Sequence, residues 1–195
     1  MTTRKSLRSY WGEVKPETYV LPKEETAAIS ETGGSYVYGE ISEEGLVWAL
    51  DQIPIRRGKF VDLGSGRGNV VAFVAHNYRF SECHGVELSE RRHQRAKEIF
   101  SAAKAGGVTG LDKAHLHLGD MFDFDLSDAD VVVSDNLVFS PEGITRLFLK
   151  AAKEMRFGTY FISMKMVPDL KRGDRTGMAS FSLVASRKVR VSWSE

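Results

Sequence analysis

A single cysteine, Cys83, rules out an internal disulfide, and its apolar surroundings suit a buried thiol in a reducing compartment. No run of residues is long and apolar enough to span a bilayer, and the N-terminal stretch MTTRKSLRSYWGE lacks the apolar centre of a secretory signal. Charge of one sign is missing too: 27 basic residues face 26 acidic ones, so net charge by itself argues for neither a nucleic-acid nor a membrane partner. Internal repeats and low-complexity tracts are absent, as is the GxxxxGK[ST] pattern that would cradle a nucleoside triphosphate. The missing disulfide, signal and bilayer span lead us to expect a soluble intracellular protein, and we also expect a monomer without a resident metal. At 195 residues it is long enough to bury a core without covalent staples.

What is present is concentrated in Lys59 to Asn69, KFVDLGSGRGN. Phe60, Val61 and Leu63 form a short apolar run of buried-strand type. Gly64, Gly66 and Gly68 follow on alternate positions, and Val70 to Ala75 then opens a helix. Glycines allow a ligand to approach the main chain, and the helix start favours a negatively charged group. The third glycine comes one place too early for the dinucleotide fingerprint GxGxxG, with Asn69 in its place. A GxGxG turn behind a strand ending in Asp-Leu resembles the cofactor turn of class I S-adenosylmethionine methyltransferases.

The remaining pattern predicts an α/β fold. Ser42 caps a helix with Leu46, Val47, Leu50 and Ile53 at helical spacing. Cys83 to Leu88 reads as a second strand ending in Glu87, some twenty residues beyond the turn, where a carboxylate can accept hydrogen bonds from ribose hydroxyls. A helix from Ser89, a third strand HLHL ending at Asp120, a fourth over Asp130 to Asn136, a helix from Pro141 and a fifth strand over Gly158 to Lys165 follow. Phe181 to Trp193 reads as one more strand, antiparallel to the rest. Strands alternating with helices make a mostly parallel, doubly wound, three-layer sheet, with ligands beyond the strands' carboxyl ends. Residues 1–37, polar and mixed with the basic cluster Arg4, Lys5 and Arg8, read as an arm or small lobe ahead of the main domain over 38–195. His115 and His117 share a strand face, but no third ligand at metal-binding spacing accompanies them.

Taken together, VYGE, VDLGSGRGN, HGVE, GD, SDNLVFSPE and the late VSW resemble the disruptor-of-telomeric-silencing family, histone lysine methyltransferases of class I fold, from about Tyr38 to Trp193. The resemblance implies S-adenosylmethionine as cofactor and S-adenosylhomocysteine as product. It places Tyr38 and Glu40 in a loop over the methionine end of the cofactor, which Asp62, Gly64, Ser65, Gly66 and Asn69 hold. It gives Glu87 the ribose, and Asp120 with Met121 the adenine. Asn136 and Phe139 line the channel beside the transferred methyl, with Tyr38 and Trp193 as further aromatics. The implied acceptor is a basic protein, a histone or nucleosome, with weak nucleic-acid contact. The implied location is the nucleus in a eukaryote and the cytoplasm in a prokaryote.

Two departures bear on the acceptor. Where the family has paired asparagines followed by Phe-Ala-Phe-Gly, this chain has Asp135, Asn136, Leu137, Val138, Phe139 and Ser140, so the channel entrance is expected to differ. Between Lys165 and Arg190 seven Lys or Arg stand against two Asp, a modest basic surface for gripping phosphates. Methyl transfer to an amine needs alignment and exclusion of water more than acid-base machinery, so no general base is assigned and Asn136 is expected to orient the amine. Transfer to a nucleic acid or a small molecule, and a non-catalytic cofactor-binding module, remain alternative readings of the residues.

Overall fold

A computed structural model describes residues 7–12, 20–32, 37, 39–55, 57–165 and 181–188. Five strands form one sheet: β1 (Lys59–Leu63), β2 (Glu82–Glu87), β3 (Ala114–Leu118), β4 (Val131–Ser134) and β5 (Tyr160–Ser163), in the order β3-β2-β1-β4-β5. Every pairing is parallel, with Asp62 opposite both Gly85 and Val133 and with Glu87 opposite Leu118. The order reverses between β1 and β4, and such a switch point opens a crevice at the strands' carboxyl ends.

Strands buried on both faces carry near-continuous apolar runs, as in β4 (VVVS) and in β1, buried from Phe60 to Leu63 with Asp62 as the polar exception. On one face Phe60, Cys83, Val131 and Val133 pack with Val71, Val74 and Ala75 of α4 (Asn69–Asn77) and with Ile99, Phe100 and Ala103 of α5 (Glu90–Ala105). Leu46 and Leu50 of α3 (Glu43–Asp51) join that cluster. On the other face Val61, Leu63, Val86 and Val132 meet Leu147 of α6 (Pro141–Glu154). Ser42, Ser89 and Ser140 cap α3, α5 and α6 by accepting from the amides of Gly45, Arg92 and Gly143. Burial pushes the Cys83 thiol up to about 12, so it stays protonated and unreactive.

Two features differ from the sequence-based expectation. The strand expected over 181–193 is not formed by residues 181–188: Phe181 is held by its ring, packed edge-on against Phe148 and at a tilt to Phe161, and the residues after it are exposed and pair with no strand. Residues 189–193 lie outside the described part. Within the expected arm, α1 (Arg8–Trp11) and α2 (Lys23–Glu31) are helices that pack onto the main body. Trp11 is 7 % exposed, its ring meets Phe100 edge-to-face at 5.7 Å, and its Nε1 donates to the Arg67 carbonyl.

Truncating a buried tryptophan leaves a cavity, so Trp11→Ala should destabilise the protein by about 3–5 kcal/mol in chemical denaturation. A loss within about 0.5 kcal/mol would mean that this segment is not part of the core.

Candidate functional site

The site is built where β1, β2 and β4 end. Gly64, Gly66 and Gly68 have φ of 85°, 54° and 75°, in the left-handed region that side chains resist. The turn they form is tied to β2: the amides of Gly64 and Ser65 both donate to the Val86 carbonyl at 2.9 Å, and the Gly66 amide donates to Glu87 Oε2 at 2.8 Å. The amide of Gly66, expected to face a ligand, is therefore already engaged. Glu87, 5 % exposed, also accepts from the Ser89 amide at 2.9 Å, so its carboxylate is fixed at the sheet edge before any ligand arrives.

Two adjoining cavities open here, with empty volumes of about 710 and about 320 Å³. Glu87, Leu88, Asp120, Met121 and Phe139 line the larger one, along with Ile29 and Thr32 from the α2 region. Glu40, Asp62, Ser65, Asn69 and Val70 line the smaller one. Gly39, Gly64, Gly66 and Asp135 belong to both and mark their junction. Asp120 accepts from the Phe122 amide at 2.9 Å in a local turn, which presents Met121 to the cavity.

Asn136 is in a different place from that expected. It is 0 % exposed, its Oδ1 accepts from the Lys165 amide at 2.9 Å and the Ser163 hydroxyl at 3.0 Å, and its Nδ2 donates to the Lys165 carbonyl. Its amide thus fastens the end of β5 to the loop after β4, and it is not among the residues lining either cavity. The residue before it faces the cavities instead. Tyr38 and Trp193 lie outside the described residues.

Electrostatically the crevice is acidic. Burial, then repulsion from Asp135 and Glu87, holds the Asp62 carboxyl well above the usual carboxylate range. Burial also raises Glu87, against the opposing pull of Arg92 and of the Ser89 and Gly66 amides. Burial pushes Asp135 up to about 6; the nearby Leu137 amide counteracts this and Glu40 adds to it. Neither Asp135 oxygen has a hydrogen-bond partner of acceptable geometry, although both are shut off from bulk solvent. A buried carboxylate without a partner is costly, and such groups concentrate where a ligand supplies what is missing.

Arg67, inside the glycine turn, could not be singled out from spacing alone. Only 2 % exposed, it donates through Nε and Nη2 to Glu40 and through Nη1 to the Trp11 carbonyl. One side chain thus ties the turn to the segment before α3 and to α1. A second contact from the N-terminal part is the hydrogen bond of Ser89 Oγ to Glu25 on α2. On the open face of β2 and β3, His84 Nδ1 lies 2.9 Å from His117 Nε2 and stacks with it, and no group of three or more His, Cys, Asp or Glu among the described residues could hold a metal.

Residues 17–193 match the family model described as histone methylation protein DOT1. The chain belongs to this DOT1 family. Among its curated relatives, a histone-lysine N-methyltransferase, H3 lysine-79 specific, from Chaetomium globosum is 31% identical over 191 residues, covering 89% of this chain and 36% of that protein. A protein-lysine N-methyltransferase from Saccharolobus islandicus is 31% identical over 102 residues, covering 52% of this chain and 58% of that protein. The DOT1-family chain therefore spans between about a third and three fifths of these relatives' lengths. An RNA methyltransferase from Salinibacter ruber, crystallised with S-adenosyl-L-homocysteine, shares the fold at a TM-score of 0.52 and 24% identity over 64% of this chain and 76% of that one. The YjhP protein of E. coli does so at 0.53 and 19% identity, over 73% of this chain and 55% of that one.

Asp135 binds its proton more tightly in the folded protein than in the unfolded chain. Stability therefore falls as pH rises from about 4 to about 6 and stays lowered above that, by roughly 3 kcal/mol. Asp135→Asn should stabilise the ligand-free protein by up to that amount in urea denaturation at pH 8, and the gain should vanish near pH 4. An unchanged or lower stability at pH 8 would contradict the orphaned-carboxylate description.

Proposed function

We propose that this DOT1-family chain is an S-adenosylmethionine-dependent protein lysine N-methyltransferase acting on a histone or another DNA-associated basic protein. The observation that carries the reading is the pair of cavities joined at Asp135 and the glycine turn, in a chain whose DOT1 match runs through the whole site. One cavity suits a nucleoside and the other an amino-acid tail, and the acidic residues between them suit the cationic sulfur and ammonium of S-adenosylmethionine. The partnerless carboxylate of Asp135 fits a cationic ligand better than a neutral one.

When bound, S-adenosylmethionine supplies an electrophilic methyl group. Glu87, positioned by Gly66 and Ser89, accepts from the ribose hydroxyls, while Asp120 and Met121 take the adenine. Asp62, Ser65 and Asn69 hold the amino-acid end, with Glu40 fixed beside them by Arg67. Phe139 and Val138 wall the larger cavity with apolar surface and exclude water. Asn136 serves this arrangement by anchoring β5 rather than by touching the methyl.

The relatives' names, a histone-lysine and a protein-lysine N-methyltransferase, support lysine as the acceptor, and we take the acceptor protein to be basic and DNA-associated. We assign the protein as a monomer with weak nucleic-acid contact through the basic residues between Lys165 and Arg190, nuclear in a eukaryote and cytoplasmic in a prokaryote. Among the described residues no helix is long and apolar enough to cross a membrane.

Incubation with methyl-labelled S-adenosylmethionine and core histones, nucleosomes or small basic chromatin proteins should place label on lysine, in protein that survives nuclease treatment. Gly66→Arg, which puts a long side chain at the cavity junction, should reduce labelling at least 100-fold. Label found only in nucleic acid, or labelling that persists in the variant, would overturn the reading.

A further inference from the structure

We propose that Asp135 is the acceptor-side catalytic residue, the carboxylate that binds the incoming lysine ammonium and takes its proton before methyl transfer. This rests on the lysine methyltransferase reading and adds a proton acceptor to it. The placement of the residue is the first ground. In S-adenosylmethionine the sulfur joins the nucleoside to the amino-acid tail, so the junction of the two cavities is where the reacting methyl belongs. Of the residues shared by both cavities, Asp135 alone brings a functional side chain, the others being Gly39, Gly64 and Gly66.

The second ground is that its carboxylate oxygens lack partners while other polar groups nearby have theirs. Glu40 is held by Arg67, Glu87 by two amides, and Asn136 by the end of β5. Asp135 has only the Leu137 amide nearby, with neither oxygen hydrogen-bonded, and the charged groups that face it, Glu40 from the segment before α3 and Asp62 from β1, are both acidic. A cation is what the position lacks. An alkylammonium delivered through the protein surface supplies three donors, and a carboxyl raised to about 6 is ionised at neutral pH and ready to accept a proton.

The step balances. The ammonium N–H bond breaks with its electron pair left on nitrogen, and the proton passes to Asp135. The nitrogen pair then forms the N–C bond while the C–S pair stays on sulfur, leaving a methylammonium product. Asp135 returns its proton to solvent as product leaves. A free lysine, with a pKa near ~10.4, is otherwise almost wholly protonated at neutral pH.

Asp135→Asn keeps size and shape and removes the proton acceptor. With core histones as acceptor and saturating cofactor, wild-type kcat should level off above about pH 7. The variant should be slower at pH 7 by roughly 10²-fold or more and should keep rising with pH through 9. Affinity for S-adenosylhomocysteine, whose sulfur carries no charge, should change by less than about 5-fold, and a cooperative urea transition at pH 8 shows that the variant folds. A readout independent of turnover is the side-chain carboxyl ¹³C spectrum of S-adenosylhomocysteine-saturated protein. One signal, absent from Asp135→Asn, should titrate near neutral or mildly acidic pH and move to lower pH on addition of n-butylamine, a mimic of the lysine side chain. If wild type methylates no lysine, the parent reading fails and this one with it. If wild type is active and the variant keeps its rate and pH profile, or the Asp135 signal ignores the amine, this proposal alone is overturned.

Discussion

The constraint on which the structure turns is the burial of several carboxylates at one edge of a parallel sheet. Asp62, Glu87 and Asp135 stand at the carboxyl ends of β1, β2 and β4, where burial opposes ionisation of all three and repulsion from Asp135 and Glu87 adds to it at Asp62. An apolar rim would give a more stable sheet, because a buried charge without a partner is among the costliest features a core can contain. A binding function explains why such a rim is tolerated, since strained or underpartnered groups belong where a ligand completes them. The strand order makes the place: only at the reversal between β1 and β4 do the flanking helices diverge and leave a crevice.

Around this acidic rim the protein sets fixed geometry. Gly66 and Ser89 lock Glu87, and the glycine turn hangs from the Val86 carbonyl. Arg67 then gathers three separate stretches, the turn, the segment carrying Glu40 and the helix ending at Trp11. A buried guanidinium with matched acceptors gives orientation that a lysine could not, because its donors form a planar fork. Preorganisation of this kind reduces the entropy lost on binding. The N-terminal helices thus take part in the site: Trp11 through Arg67, Ile29 and Thr32 by lining the larger cavity, and Glu25 through Ser89.

Much of this was readable in the residues. Apolar strands, helix starts and glycine spacing are local signals, and they placed β1 to β5, α3 to α6 and the rim carrying Gly64, Glu87, Asp120 and Asn136. What was not readable depended on tertiary contacts. The helix over Lys23–Glu31 buries only Ile29, so its apolar pattern is weak until the body of the protein is there to receive it. The swap between Asp135 and Asn136 turns on which side chain faces inward after β4, and a one-residue change of direction in a loop leaves no periodic trace. Asp135 did carry a hint as an acid where the family has an amide. Arg67 carried another as a charged residue inside a glycine turn. The strand expected from Phe181 onward had suitable composition, but a ring docked on Phe148 and Phe161 does not supply a backbone partner.

The claim at the centre is that a cationic nucleoside completes an acidic, partly protonated crevice. Calorimetric titration with S-adenosylmethionine at pH 6 and pH 8, in buffers of different ionisation enthalpy, measures this through the protons exchanged on binding. A cation entering beside Asp135, whose carboxyl is raised to about 6, must lower its affinity for the proton. Binding should therefore release a substantial fraction of a proton at pH 6 and close to none at pH 8, with a smaller release for uncharged-sulfur S-adenosylhomocysteine. Absence of binding, or binding at pH 6 with no proton released, would contradict the account.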